Sequence, residues 1–554
     1  MTCVALLAFF LRGTAPANDR EKYDAIRFEW ASSTGVDFVV EPSRTDHKHQ
    51  PETMLSGVAL FDYNNDGWLD IYAISGATMP GLEKTLESHY NRLYKNNGNW
   101  TFEDVTDQAG VRGHGYTGGC VVADYDNDGH QDIFVVGLRE NILYHNQGDG
   151  TFKDVTSDAG LNIPDAKYGT LWSVSAAFFD YDRDGWLDLF VSNYCVWDPE
   201  TEPVCGPEGA PEYCHPKHYA GLPNSLYRNN GNGTFTDVSV SSGIRRHVGK
   251  GMGIGVADFD QDGWLDIYVA NDNVPAFLFH NRQNGTFQEI ALDSGTAYSF
   301  SGVAVAGMGV DARDVNNDGL ADLFVTAMIT ETMPFYLNLG GNLFEDVTTS
   351  SRLASMTRDQ TGWSNGIFDF NNDGWKDLFV AAGDVMDPRG GFGDRVLQTN
   401  GLFINTKNGK FADAAAGAGQ EFATRKAVHR GAAFGDLDND GRIDVVVSAL
   451  NDPIEIWRNV SPSSNHWLMI ATTGTRSNRD GIGAKVKVTT DSGSQYNQVN
   501  TAVGYGSASD KRVHFGLGAD SLVREIEIIW PSGVVQGLEN IQADQIVHVR
   551  EPED

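Results

Sequence analysis

The chain is predicted to be all-β, a seven-bladed β-propeller followed by a small β-sandwich. Three observations carry that fold class. A nine-residue acidic loop is written seven times, a Phe-centred signature alternates with it, and the sequence pattern changes near residue 465.

The loop reads acid, any residue, Asp or Asn, any residue, Asp, Gly, two residues, Asp. Copies begin at Asp62 (DYNNDGWLD), Asp124 (DYDNDGHQD), Asp180 (DYDRDGWLD), Asp258 (DFDQDGWLD), Asp314 (DVNNDGLAD), Asp369 (DFNNDGWKD) and Asp436 (DLDNDGRID). They recur every 55 to 78 residues, the size of a four-stranded blade. Each is flanked by short apolar runs, such as Val58 to Phe61 before the first and Ile71 to Ala73 after it, which reads strand, loop, strand.

The second signature is a Phe with a polar run after it: TFEDVTDQAG at Thr101, TFKDVTSDAG at Thr151, TFTDVSVSSG at Thr234, TFQEIALDSG at Thr286, LFEDVTTSS at Leu343 and KFADAAAGAG at Lys410. A further copy, RFEWASSTG from Arg27, precedes the first loop, and none follows the seventh. The strand near Phe28 is therefore expected to complete the last blade, closing the ring from both chain ends and leaving no exposed sheet edge. The propeller is placed at residues 24–460.

From residue 465 acidic loops give way to new strand patterns, AKVKVTT, REIEIIWPSG and QIVHVRE. Residues 465–552 suffice for a separate β-sandwich. The Gly-rich turns there (DGIGAK, GYGSAS, FGLG) shape loops rather than cradle phosphate, since no helix pattern follows them.

The spacing of the loops matches the ligand set of a hard cation, with Gly at position 6 permitting the turn. Side-chain oxygens come at position 1 from Asp62, Asp124, Asp180, Asp258, Asp314, Asp369 and Asp436. At position 3 they come from Asn64, Asp126, Asp182, Asp260, Asn316, Asn371 and Asp438, and at position 5 from Asp66, Asp128, Asp184, Asp262, Asp318, Asp373 and Asp440. Position 7 offers a backbone carbonyl from Trp68, His130, Trp186, Trp264, Leu320, Trp375 or Arg442. Position 9 closes the set with Asp70, Asp132, Asp188, Asp266, Asp322, Asp377 and Asp444. Up to seven Ca²⁺ are expected, with Mg²⁺ disfavoured because it demands strict octahedral, water-rich sites. Loops with four carboxylates should bind more tightly than those with Asn at position 3. The recurrence of Trp at position 7 points to packing between blades rather than sugar stacking.

These loops resemble the FG-GAP repeats of integrin α-like propellers. The tail, with NHWLMI, RDGIGAKV, GYGSAS, HFGLG and IIWPSG, resembles the ASPIC/UnbV domain. The combination is similar to the cartilage acidic protein family over nearly the whole chain. That resemblance implies a secreted, calcium-binding protein with no agreed activity. The chain reaches Asp554 without the EGF-like module of animal members, so the bacterial type is expected. GYGSAS departs from the family's tendency to Ser-Gln after Gly-Tyr.

Net charge of −34 makes nucleic acid and anionic membrane surfaces poor partners. Much of this acidity lies in the loops themselves. Residues 1–17 read as a signal peptide, truncated or lacking its basic start, and no later apolar run is long enough to span a bilayer. The expected location is secreted or extracellular, periplasmic or cell-surface if bacterial.

Blade 3 carries a long Pro- and Gly-rich insertion, NYCVWDPETEPVCGPEGAPEYCHPKHYAG. A Cys205–Cys214 disulfide is expected within it. A transition-metal site from its Cys and His residues, including Cys195, matches no strong spacing pattern. Trp197, Tyr213, His215 and His218 form a candidate ligand surface. Cys120, in a blade strand, reads as a small buried hydrophobe. His47 and His49 either line a pocket or lie in a solvated polar loop, and the solvated loop is favoured. No nucleophile elbow, P-loop, HExxH or dinucleotide fingerprint is present, so no catalytic residue is assigned. The functional expectation is non-catalytic recognition of an extracellular protein or glycan. The alternative is a Ca²⁺-dependent polysaccharide lyase using His215, Lys217, His218 or Tyr219 as base.

Overall fold

A computed structural model describes residues 25–55, 57–386, 393–462 and 464–553. The predicted residues 1–17 lie outside them.

Blade 1 runs outward from its inner strand Val58–Phe61 through Asp70–Ala73 and Arg92–Asn96 to Phe102–Asp104, all neighbours antiparallel. The inner strand is buried on both faces, so it reads as an unbroken apolar run without alternation. The outer strand is only three residues long and buries one Phe, which leaves a short edge. The same order recurs from inner strands Tyr116–Ala123, Ser173–Phe179, Gly251–Ala257, Val310–Arg313 and Gly362–Phe368.

The last such sheet joins both chain ends. Its strands His429–Gly435, Asp444–Ala449 and Glu455–Asn459 are completed by Phe28–Trp30, with Phe28 opposite Asn459. Among the described residues this makes seven four-stranded sheets before residue 460. Val58–Phe61 packs against both Tyr116–Ala123 and His429–Gly435, so the ring is closed.

Residues 466–550 form two facing sheets. One orders Val513–Gly518, His466–Thr473 and Gln545–Arg550; the other orders Ser494–Gln498, Lys485–Thr489, Leu522–Ile529 and Val535–Gln542. Leu468, Val486, Phe515, Ile526 and Trp530 are buried between and beside them.

A segment of this second unit, residues 498–510, threads the axis of the ring and bonds to all seven inner strands. Ala508 exchanges backbone hydrogen bonds with Val58 and Leu60, both at 3.0 Å. Cys120 N–H donates to Gly506 O at 2.9 Å, and Gly506 N–H to Ser175 Oγ at 3.0 Å. Gln498 reaches Val256 O at 2.7 Å, Gly504 pairs with Val310, Tyr505 N–H donates to Ser364 Oγ at 3.2 Å, and Asp510 N–H to Phe434 O at 3.0 Å. Glycine is required where the backbones meet: a Cβ on Gly57 would fall 1.9 Å from Gly506 O. Tyr505 packs edge-on against Trp363 at 5.0 Å and donates to Met54 O at 2.8 Å. The plug thus ties the second unit to the far side of the ring.

Candidate functional site

Each acidic loop joins an inner strand to the second strand of its blade, so all seven share one face. The sequence folds them identically. The position 1 carboxylate accepts the N–H groups of positions 5 and 6, as Asp62 does from Asp66 at 3.0 Å and Gly67 at 2.8 Å. Position 9 accepts from position 2 and from an Asn ending the third strand, as Asp70 does from Tyr63 at 3.0 Å and Asn96 at 2.7 Å. Position 4 is left-handed in every copy, Asn65, Asn127, Arg183, Gln261, Asn317, Asn372 and Asn439 lying at φ between 55° and 63°.

Two sets of side-chain amides staple each loop to its neighbours. Asn146, Asn229, Asn281, Asn338, Asn405 and Asn459 donate to the position 2 carbonyl of the preceding blade, and Asn96 closes the circle on Leu437 O at 2.9 Å. In the other direction position 4 donates to the position 6 carbonyl of the next blade, from Asn65 to Gly129 O at 3.0 Å round to Asn439 and Gly67 O at 3.0 Å. Arg183 breaks this series and instead stacks on Trp264 and donates to Pro531 O.

The position 7 Trp residues divide: Trp264 meets Arg183 of the preceding blade, as the sequence suggested, whereas two others turn to their own blade. Trp68 and Trp186 cover the hairpin glycines Gly98 and Gly231 of their own blades. Inter-blade aromatic packing belongs to position 2: Tyr63 on Phe152, Tyr125 on Phe235, Tyr181 on Phe287, Phe259 on Phe344 and Phe370 on Phe28, with centroids 5.6 to 6.4 Å apart.

The donor set fits a hard divalent cation. In the loops from Asp124 and Asp180, oxygens of positions 1, 3 and 9 lie within 4.8 Å of one another. Asp182 Oδ1 and Asp438 Oδ1 are buried without a hydrogen-bond partner, an arrangement that a bound cation would relieve. Burial first, then neighbouring carboxylates, push Asp124 up to about 8 and Asp180 up to about 7. Burial likewise lifts Asp436 to about 7.

The loops differ in the cations that already neighbour them. Lys95 lies 3.3 Å from Asp66, Lys407 3.2 Å from Asp373 and Arg458 2.9 Å from Asp438, while Arg442 pairs with Asp440. Lys485 of the second unit pairs with Asp258. His145 approaches Asp132 at 3.2 Å, and His280 approaches Asp266 at 3.1 Å. Sequence reasoning did not assign these side chains to the loops; for Lys95, His145, His280 and Arg458 the signal was their place immediately before the stapling Asn.

The second unit covers this same face. Asp124 N–H donates to Asp480 at 2.8 Å, Arg479 N–H to Asn127 at 2.7 Å, and Arg512 to Asn439 at 2.7 Å and Asp436 O at 3.0 Å.

The opposite face carries the blade 3 insertion, where Cys205 and Cys214 are joined. That pairing removes both thiols from any metal site, and Cys120 and Cys195 are buried. His215 and His218 are exposed. Trp197 is 5% exposed and donates to Glu202 at 2.8 Å, so it is not part of a ligand surface. Tyr213 is half-buried and donates to Glu52 at 3.0 Å. The solvated reading of His49 is also overturned: it is 5% exposed and pairs with Glu202. A buried carboxylate from the insertion, invisible in a linear reading, pulls it in.

Among the described residues no helix is long and apolar enough to cross a membrane. The FG-GAP-like repeat model matches residues 62–135, 124–191, 218–269, 258–325, 314–380 and 369–447, and the ASPIC and UnbV model matches residues 474–554. Cartilage acidic protein 1 of Mus musculus is 25% identical over 530 residues, covering 92% of this chain and 76% of that protein. The Homo sapiens protein is 25% identical over 531 residues, covering 92% and 74%. Among solved structures, an Agrocybe aegerita lectin that recognises non-reducing terminal N-acetylglucosamine aligns with a TM-score of 0.39 at 16% identity, covering 73% of this chain and 89% of the lectin.

Proposed function

Since the chain belongs to the FG-GAP-like repeat proteins and carries an ASPIC and UnbV domain, we propose that it is an extracytoplasmic calcium-binding propeller that recognises a protein or glycan without catalysis. One observation carries the reading: the acidic loops gather on a face sealed by the chain's own second unit, while the long disulfide-braced insertion stands on the other. Calcium would be held by positions 1, 3, 5 and 9 with the position 7 carbonyl, fixing the turn between two strands. The loops from Asp124 and Asp180 are proposed as tight sites, since their carboxylates converge and no Lys or Arg salt bridge to them is present among the described residues, although Arg228 acts on Asp182 from further off. Lys485 beside Asp258 and Arg442 and Arg458 beside the seventh loop compete with a cation there. The disulfide suits an oxidising compartment.

Recognition belongs to the uncapped face, where His215 and His218 are exposed and Phe300 is 57% exposed on a neighbouring connection. A lyase would need its base beside the cation that neutralises the sugar acid. In blade 3 the acidic loop ends at Asp188 and the insertion begins beyond Asn193, roughly 17 Å away along the strand. That separation disfavours the catalytic reading. The test is a glycan and ectodomain binding screen with the intact chain and a variant lacking residues 199–217. Loss of the selected partner in the variant is expected; unchanged binding of every partner would reject this face.

A further inference from the structure

Two segments far apart in sequence meet on the uncapped face. His47 and His49 come from the connection that leads into blade 1, and Glu202 comes from the blade 3 insertion. The two imidazoles stack at 4.3 Å, and His49 meets Trp197 edge-on at 5.8 Å. One ligand atom each of His47, His49 and Glu202 lies within 4.8 Å of the other two.

The carboxylate is completely buried, accepts three hydrogen bonds and faces His49. Its Oε1 accepts from Gln50 N–H at 2.9 Å and Tyr219 O–H at 2.8 Å. Its Oε2 accepts from Trp197 Nε1–H at 2.8 Å and faces His49 Nδ1 at 2.5 Å. A carboxylate locked in this way fixes the orientation of the histidine beside it, as in metal centres. His47 Nε2, by contrast, is buried with no hydrogen-bond partner, and so is Gln50 Oε1. An imidazole nitrogen withdrawn from water and left unpaired costs free energy that a ligated ion would return.

From this geometry we propose that His47, His49 and Glu202 hold one first-row transition ion, of the zinc or copper class. Two borderline imidazole nitrogens with one carboxylate make a donor set that suits such an ion better than calcium, which prefers all-oxygen sites. The site is therefore chemically distinct from the acidic loops and lies on the other side of the ring. It pins the insertion to the entry of blade 1, beside the surface assigned to recognition, with the Cys205–Cys214 disulfide bracing the far part of the same insertion.

The test uses the full chain saturated with millimolar Ca²⁺, dialysed against limiting Zn²⁺ and counted by elemental mass spectrometry. One zinc per chain is expected, and none in His47→Ala or Glu202→Gln. The double variant His145→Ala/His280→Ala removes the imidazoles beside the acidic loops and should keep its zinc. Circular dichroism and melting in Ca²⁺ establish that His47→Ala, at a half-buried position, is folded. Should that variant fail to fold, Co²⁺ titration of the wild-type chain decides, since imidazole ligation gives a visible absorption band. No zinc in the wild-type chain, unchanged zinc in a folded His47→Ala, zinc lost with His145 and His280, or no cobalt band would each overturn the proposal.

Discussion

The two faces of the ring are built on opposite principles. On one, seven near-identical loops are stapled to each other in both directions and covered by the second unit, whose plug enters the axis. On the other, the connections differ in length and sequence, and the longest is braced by one disulfide. Repetition is what a scaffold needs, because each blade must present the same edge to the next. Irregularity is what selective binding needs, because a partner must distinguish one place on the ring from six others.

If that contrast is right, substitutions in the plug and in the stapled loops should cost stability, and those on the irregular surface should cost binding. The largest effect is expected from Tyr505→Ala, which empties the packing against Trp363 and loses the bond to Met54 O. We expect destabilisation of about 3–5 kcal/mol, read as a lowered denaturant midpoint. Gly57→Ala should follow at about 1–3 kcal/mol, because its Cβ collides with Gly506 backbone and cannot relax by a rotamer change. Asn146→Ala removes a buried amide that serves Tyr63 O and Gln131 O at once, and about 1–3 kcal/mol is expected there.

A pH series sharpens the same contrast without mutation. An unfolded Asp titrates near 4, whereas burial and neighbouring charge lift Asp124 to about 8 and Asp180 and Asp436 to about 7 in the metal-free fold. The folded state then binds more protons than the unfolded state between those values, so stability in chelator falls as pH rises from about 4 to about 8. Calcium should remove that loss, and its stabilising effect should grow with pH. A flat melting temperature in chelator across this range would contradict the buried-carboxylate account. At the small end, His215→Ala/His218→Ala should change stability by less than about 0.5 kcal/mol while weakening partner binding.

The capped side was largely legible from sequence, because a repeat announces itself: the acidic nonapeptide, the Phe signature and the stray copy at Phe28 suffice to order the strands. What escaped was whatever depended on three dimensions without repeating visibly. Trp at position 7 recurs and so looked like a seam residue, yet Trp68 and Trp186 cover their own hairpins and the ring-to-ring contacts of the seam are made by Tyr63, Tyr125 and their counterparts at position 2. The stapling Asn at the end of each third strand was in plain view, but its partner lies in the preceding blade. GYGSAS was legible as a turn, and nothing local could reveal that it occupies the axis. The insertion was recognised by its length, yet the burial of Trp197 and His49 depends on Glu202, whose contacts no spacing rule encodes.

The most direct measurement is calcium content by mass spectrometry together with thermal unfolding in EDTA and in millimolar Ca²⁺. The account predicts several bound calcium ions, up to one per acidic loop, with those in the loops from Asp124 and Asp180 retained longest, and a large fall in melting temperature in EDTA. A chain with no bound calcium and the same melting temperature in both conditions would reduce the loops to acidic turns and contradict the claim that metal holds the capped face together.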